Sequence, residues 1–197
     1  MTGFKNMGWT ILISSFLFVS TVPDVCHALQ ISQEKFKDEY KEDKIEMVIM
    51  GAALKRFSVF KAVAVAFYLE KGIKEDDILK DIPKRIEVAS LQKISKEEFI
   101  KETLSGMQDN LEAGIYKSLE DKIQQLTGWY KDLEPGDRYT FTYKPGVGTQ
   151  VEFNGVKQGV VSGEDFAFGL FSIYIGAKPA DNRAKQKLLG RLDLYQK

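Results

Sequence analysis

The stretch RYTFTYKPGVGTQVEFNGVKQGVV (residues 138–161) predicts three antiparallel strands joined by tight turns. Its first segment alternates aromatic and polar residues, which is typical of a strand buried on one face. Pro145-Gly146 marks the first turn. Asn154-Gly155 marks the second, because both residues accept a positive φ at low cost. The stretch therefore predicts a β-meander.

Upstream of the meander, runs rich in β-branched and aromatic residues predict three further strands. Two of them flank a turn at Lys55-Arg56, and the third follows Pro83. A short helix is predicted just before Pro83, which ends it. The predicted strands are 45–54, 57–69 and 85–92, and the short helix is 75–82.

Ser95 gives the strongest helix start, because Glu98 completes a capping box and Ile94 and Phe99 are spaced for a hydrophobic staple. A second start is predicted at Ser118, for a helix that reaches about residue 133. Two more helices are predicted after the meander, at 166–175 and 181–189. The first of these is apolar on all sides, so it must be buried or line a cavity. Together the elements predict an α+β fold with helices on one face of a largely antiparallel sheet.

Residues 1–28 have the pattern of a secretory signal, with Lys5, an apolar run over 7–22 and Cys26-His27-Ala28 at the end. The apolar run is shorter than the roughly 20 residues that a membrane span needs. Lipidation of Cys26 would need a small residue directly before it, and Val25 does not meet this requirement. We therefore expect cleavage after Ala28 and export to the periplasm or beyond, with no stable membrane anchor. The charged residues 29–44 are predicted to be a tether or an edge element, and 45–197 the domain.

Cys26 and His27 are the only cysteine and histidine. Their removal would exclude Ser-His-Asp and Cys-His nucleophile systems and the usual zinc sites. The 28 basic and 28 acidic residues balance, so the chain lacks the basic excess of a nucleic-acid-binding domain. No cofactor and no metal are predicted, and the oligomeric state is left open.

Three stretches in the same order resemble the exported bacterial branch of the chalcone isomerase-like superfamily. They are GAALKRFSVFKAVAVAFYLE (51–70), YKPGVGTQVEFNGVKQGVVSGEDFAFGLFSIYIG (143–176) and LLG (188–190). The resemblance spans about residues 45–192. It implies an open-faced β-sandwich, in which helices cover one face of a large antiparallel sheet.

Enzymes of this superfamily close a flavanone ring, using an arginine cation and the hydroxyl groups of two threonines and a tyrosine. The resemblance places Val63 and Ile173 at the threonines and Phe99 at the tyrosine, so hydrocarbon replaces three hydroxyl groups. The cation position falls on Lys55 or, one residue later, on Arg56. The alternative is that both are ordinary turn residues facing solvent.

The resemblance thus implies a non-catalytic exported protein that binds an elongated apolar carboxylate, such as a fatty acid, between sheet and helices. The apolar lining would supply most of the affinity, and the cation would set the orientation of the head group. The implied ligand-binding residues are Lys55, Arg56, Val63, Phe99, Phe168, Phe171 and Ile173. Any one of the apolar residues alone is more typical of a core, and it is their joint placement at the cleft positions of the family that favours a pocket.

Two other functions stay open. One is an intramolecular lyase or isomerase of the superfamily type with an altered substrate, for which Tyr68, Tyr116, Tyr139 or Tyr143 could supply a phenol. The other is an envelope interaction protein without a small ligand.

Overall fold

The computed structural model describes residues 28–56 and 62–191. The predicted signal segment up to residue 27 and the start of the predicted strand at 57–61 lie outside the described residues. Within the described ranges, no helix is both long and apolar enough to cross a bilayer. In the same ranges, no three acidic, histidine or cysteine side chains gather as potential metal ligands.

The described strands form a two-stranded hairpin and a seven-stranded antiparallel sheet in which each strand pairs with its neighbour in sequence. The hairpin consists of β1 (Ala28–Ile31) and β2 (Glu34–Lys37). The sheet consists of β3 (Glu39–Glu42), β4 (Ile45–Arg56), β5 (Ala62–Leu69), β6 (Lys84–Ser90), β7 (Arg138–Lys144), β8 (Gly148–Phe153) and β9 (Val156–Val161). The predicted meander is confirmed, with Asn154 and Gly155 both at positive φ in the second turn.

The helices in the described ranges are α1 (Lys96–Asn110), α2 (Ala113–Ser118), α3 (Glu120–Gly128), α4 (Glu164–Ile175) and α5 (Asn182–Leu188). The capping box at the start of α1 is confirmed, since the Ser95 side chain accepts from the Glu98 backbone N–H and the Glu98 side chain accepts from the Ser95 backbone N–H. The predicted helix at 75–82 is wrong, because only a 3-10 turn (Glu75–Asp77) forms there. Ile78, Leu79 and Ile82 of that segment still pack against the core, fully or in part, without forming a helix.

β5 shows how the sheet separates two cores. Val63, Val65 and Phe67 point to the helices, whereas Ala64 and Ala66 point to the opposite face, as the two-residue period of a strand requires. The helical layer thus lies on one face of the sheet, and the fold class agrees with the prediction.

The charged segment 29–44, predicted as a tether or an edge element, contains most of β1 and the strands β2 and β3. Phe36 of β2 is fully buried in the core on the face of the sheet opposite the helices. β3 pairs with β4 as an edge strand of the large sheet. A few apolar residues among many charges are therefore enough to fix this segment to the domain.

Candidate functional site

Lys55 is a buried cation under the helical layer. It lies near the end of β4, where the strand continues through Arg56 instead of turning. Its side chain points to the helices and its Nζ donates to Oε1 of Glu102, in the middle of α1, at 2.6 Å. The residue as a whole is 3% exposed. The sheet and α1 therefore hold a charge-assisted hydrogen bond at the boundary of the main core.

Arg56 is exposed. Successive side chains of a strand point to opposite faces, so Arg56 lies on the other side of β4 from Lys55. The structure therefore separates the two candidate cations, and only Lys55 is under the helices.

Val63, Phe99 and Ile173 surround this region as parts of one continuous core. Val63 is the direct cross-strand partner of Lys55. All three apolar residues are at most 3% exposed. Side chains therefore fill the space between sheet and helices where the resemblance implies a cleft.

Two hydroxyl groups that the sequence analysis did not identify lie beside Phe99. The Phe99 ring is 4.6 Å from the ring of Tyr130, centroid to centroid. The Tyr130 hydroxyl is 3.3 Å from Oγ1 of Thr103, which donates to the Phe99 carbonyl oxygen at 3.0 Å. Burial raises the pKa of Tyr130 well above its usual value, so this phenol stays protonated. No sequence motif marks the pair, because 27 residues separate its members.

The tyrosines proposed as substitute phenols are spread over the molecule. The Tyr139 hydroxyl donates to the Trp129 carbonyl oxygen at 3.1 Å. The Tyr143 hydroxyl donates to Asp81. Tyr68 faces the other side of the sheet, and Tyr116 is half-buried against the main core. The Tyr139 ring stacks on that of Phe99, with 5.4 Å between the ring centroids.

A cavity of about 850 Å³ opens at the opposite end of the helical layer. Phe168, one of the predicted site residues, is 40% exposed and lines it. Its apolar surface comes from Leu79, Leu111, Ile115 and Phe168, and its charged lining from Asp76, Lys80, Asp81, Glu112, Glu164 and Asp165. The apolar residues can contact hydrocarbon, whereas the five carboxylates, against one lysine, repel an anionic head group.

Phe171 is fully buried beside a second lysine that the sequence analysis missed. Nζ of Lys84 lies 5.7 Å from the Phe171 ring centroid and 4.8 Å from that of Tyr143. It donates to the Lys80 carbonyl oxygen at 2.5 Å. Burial lowers the pKa of Lys84 to about 8, against the opposing charges of Asp81 and Glu164.

Comparison with known proteins supports the resemblance. The family model described as chalcone isomerase-like matches residues 28–190. A crystal structure of an Arabidopsis thaliana fatty-acid binding protein is similar, with a TM-score of 0.68, 16% sequence identity and coverage of 86% of this chain and 99% of that chain. At this identity the structural comparison shows the fold. No curated protein matches the chain.

Proposed function

Because the chain belongs to the chalcone isomerase-like family, we propose that it is a non-catalytic binding protein for an elongated apolar carboxylate. The head group binds Lys55, and the hydrocarbon chain lies between the sheet and the helices. The observation that carries this proposal is the buried ammonium of Lys55, held under the helices among apolar side chains.

The Lys55–Glu102 pair defines how the head group would bind. A ligand carboxylate can replace the carboxylate of Glu102, whose side chain is 29% exposed and can turn to solvent. A hydrogen bond to a charged group contributes about 1.5–3 kcal/mol. The exchange keeps the buried Lys55 ammonium paired with a carboxylate. A ligand without a carboxylate could not make this exchange, so the site selects for carboxylates.

In this proposal the hydrocarbon chain ends at the large cavity. Lys55 pairs with Val63 near the start of β5, and the cavity is lined by Leu79 and its neighbours in the connection after β5. The eight residues of β5 span roughly 26 Å at about 3.3 Å per residue, which is comparable with a long extended acyl chain. The acidic residues of the lining repel the head group from this end, and its apolar residues contact the tail.

Binding requires the core at Val63, Phe99 and Ile173 to open. Each buried methylene of the ligand contributes about 0.8 kcal/mol, so a long chain can offset the cost of separating these side chains. The protein similar in fold is a fatty-acid binding protein, which supports the same ligand class here.

Extraction of the purified protein with organic solvent, followed by mass spectrometry, tests the proposal first. We expect a copurified fatty acid. Titration of the delipidated protein should then show saturable binding of a fatty acid and weaker binding of the alcohol of the same chain length, which cannot replace the Glu102 carboxylate at Lys55. No extracted lipid and no thermal shift with fatty acids would count decisively against binding.

Lys55→Met and Arg56→Met form a matched pair for the head-group assignment. The first should abolish the preference for the acid over the alcohol. The second should leave it unchanged, because Arg56 is exposed on the other side of β4. The reverse result would assign the head group to Arg56.

We also propose export after removal of residues 1–28. The family match begins at residue 28, at the predicted boundary between leader and domain, which supports this proposal. N-terminal sequencing of the protein recovered from the cell envelope or medium tests this; an intact N-terminus in the cytoplasm contradicts it.

One observation supports a second candidate function, an isomerase of the superfamily type with an altered substrate. The buried hydroxyl groups of Thr103 and Tyr130 lie next to Phe99, where the resemblance places a tyrosine. Following chalcone absorbance with protein in excess tests this function. A rate no higher than that in buffer, or a rate unchanged in Tyr130→Phe, excludes this arrangement as catalytic.

A further inference from the structure

The face of the sheet away from the large helical layer carries a second cavity, of about 330 Å³. It lies where the β1–β2 hairpin and β3 approach β5, β6 and β7. Charged residues of both signs line it, including Lys35, Arg85, Arg138 and the carboxylates Glu39, Glu87 and Glu152, beside Tyr68. It shares no lining residue with the cavity that contains Phe168.

Glu87 holds the two arginines of this cavity in fixed positions. Arg85 Nε donates to Glu87 Oε1 at 3.1 Å, and Arg138 Nη1 donates to Glu87 Oε2 at 2.6 Å. Arg85 Nη1 also donates to Thr142 Oγ1 at 2.7 Å. The Arg85 guanidinium lies 4.1 Å from the Tyr40 ring centroid. Both oxygens of Glu87 are therefore occupied, and the guanidinium groups are ordered before any ligand binds.

Tyr68 has a hydroxyl group without a hydrogen-bond partner among the described residues, although its side chain is fully buried. The residue lines the cavity. Burial raises the pKa of Tyr68, and the charge of Glu87 adds to this, so the phenol stays protonated and can donate. A buried hydroxyl without a partner destabilises the fold, which favours a molecule in the cavity that accepts this hydrogen bond.

Arg85 supplies a second donor. Its Nη2 makes no hydrogen bond to the described part of the chain, while Nε and Nη1 are both engaged. The other carboxylates of the cavity already face donors: Glu152 Oε1 accepts from Gln150 at 2.6 Å, and Glu39 lies 3.4 Å from the Lys41 ammonium. At the rim, Lys35 and Lys37 are exposed and positively charged. The unfilled groups are therefore mainly donors.

We propose that this cavity binds a small molecule through an oxyanion, either a carboxylate or a phosphate, which accepts hydrogen bonds from the Tyr68 hydroxyl and Arg85 Nη2. The volume is near the lower limit of ligand pockets, about 300 Å³. The site is thus of the size of a small polar metabolite rather than of a long acyl chain. It goes beyond the function proposed above and is independent of it.

Calorimetric titration at constant ionic strength, with inorganic phosphate and succinate as separate probes, tests the proposal. We expect saturable binding of at least one probe; which one binds distinguishes a phosphate ligand from a carboxylate ligand. Tyr68→Phe should weaken that binding by roughly tenfold or more. It should fold normally, since it removes a hydroxyl group that has no partner in the described structure.

Tyr143→Phe is the matched control. Tyr143 packs in the core on the other face of the sheet and does not line this cavity, so loss of its hydroxyl group should leave the affinity unchanged. Amide resonances of β5 and β6 should shift on titration with the probe that binds. Failure of both probes to bind saturably, or equal affinity of Tyr68→Phe and the unaltered protein, overturns the proposal. Neither result bears on fatty-acid binding at Lys55, which Lys55→Met tests separately.

Discussion

Lys55 and Glu102, which are 47 residues apart in sequence, form an ion pair of 2.6 Å whose members differ in exposure. The lysine side chain is 4% exposed and the glutamate side chain 29%. The glutamate can therefore leave the pair for water more easily than the lysine can. This asymmetry makes Glu102 an internal competitor for any carboxylate that binds Lys55.

Glu102→Gln should have opposite effects on stability and on ligand binding. Removal of the carboxylate that accepts from Lys55 Nζ destabilises the ligand-free protein by about 1–3 kcal/mol. It also removes the competitor, so fatty-acid affinity should rise by roughly tenfold. Denaturant unfolding and calorimetry measure the two effects. Glu97→Gln, at an exposed position in the first turn of α1, is the control. A loss of affinity in Glu102→Gln would contradict the competition.

Gly51→Ala should destabilise the fold because α5 ends against this residue. A Cβ atom at Gly51 would lie 2.0 Å from the Lys187 carbonyl oxygen and 2.9 Å from that of Leu188. Backbone cannot yield as a flexible side chain does, and overpacking of this kind costs about 1–3 kcal/mol. We expect a lower denaturant midpoint with an unchanged slope.

Gly128→Ala provides the comparison for this substitution. A Cβ atom at Gly128 would meet nothing within 4 Å, and the residue ends α3. Alanine should be neutral there or stabilise by up to about 1 kcal/mol. Equal midpoints for Gly51→Ala and Gly128→Ala would show that α5 does not press on β4 in solution.

The sequence predicted the meander because its signals are local. Tyr139, Phe141 and Tyr143 alternate with polar residues, and Asn154-Gly155 supplies the turn. The pairing of Lys55 with Glu102 is not local, and no spacing rule connects a residue of β4 with one of α1. The same holds for the burial of Lys84, which follows from how β6 packs against α4.

The two predicted helix starts, at Ser95 and Ser118, show where a local capping signal predicts the structure and where it does not. Ser95 was predicted as an N-cap and is one, because Ile94 and Phe99 beside it are both buried. Ser118 was predicted to start a helix, but it is the last residue of α2, and its Oγ donates to the Ile115 carbonyl oxygen at 2.8 Å. The next helix, α3, begins one residue later than predicted, with the fully buried Leu119 as its N-cap.

Ser95→Ala and Ser118→Ala should therefore differ in stability. The first removes the side chain that accepts from the Glu98 backbone N–H at 3.2 Å and should cost about 1 kcal/mol. The second removes an exposed contact within one turn and should cost less than about 0.5 kcal/mol. Urea unfolding of both variants measures the difference. Equal losses would mean that the capping box contributes nothing beyond a surface hydroxyl group.

Lys84 should make the protein more stable as the pH rises above about 8. Burial lowers the pKa of Lys84 from 10.5 to about 8 in the folded protein. Between these two values the unfolded chain binds more protons than the folded one, so the free energy of unfolding increases with pH.

The full effect of this shift is about 3 kcal/mol. Above about pH 10 the buried tyrosines act in the other direction, since burial raises the pKa of Tyr130 and Tyr174 and favours their protonated forms in the folded state. The window that reports on Lys84 therefore runs from about pH 8 to about pH 10.

Denaturant unfolding of the unaltered protein, Lys84→Met and Lys80→Met across this window tests the assignment. Lys84→Met should be more stable at neutral pH, because it no longer buries a charge, and its stability should not rise between about pH 8 and about pH 10. Lys80→Met should keep the rise, since the Lys80 side chain is exposed. A rise that persists in Lys84→Met would show that another group releases the proton and that the Lys84 ammonium has its usual pKa in the folded protein.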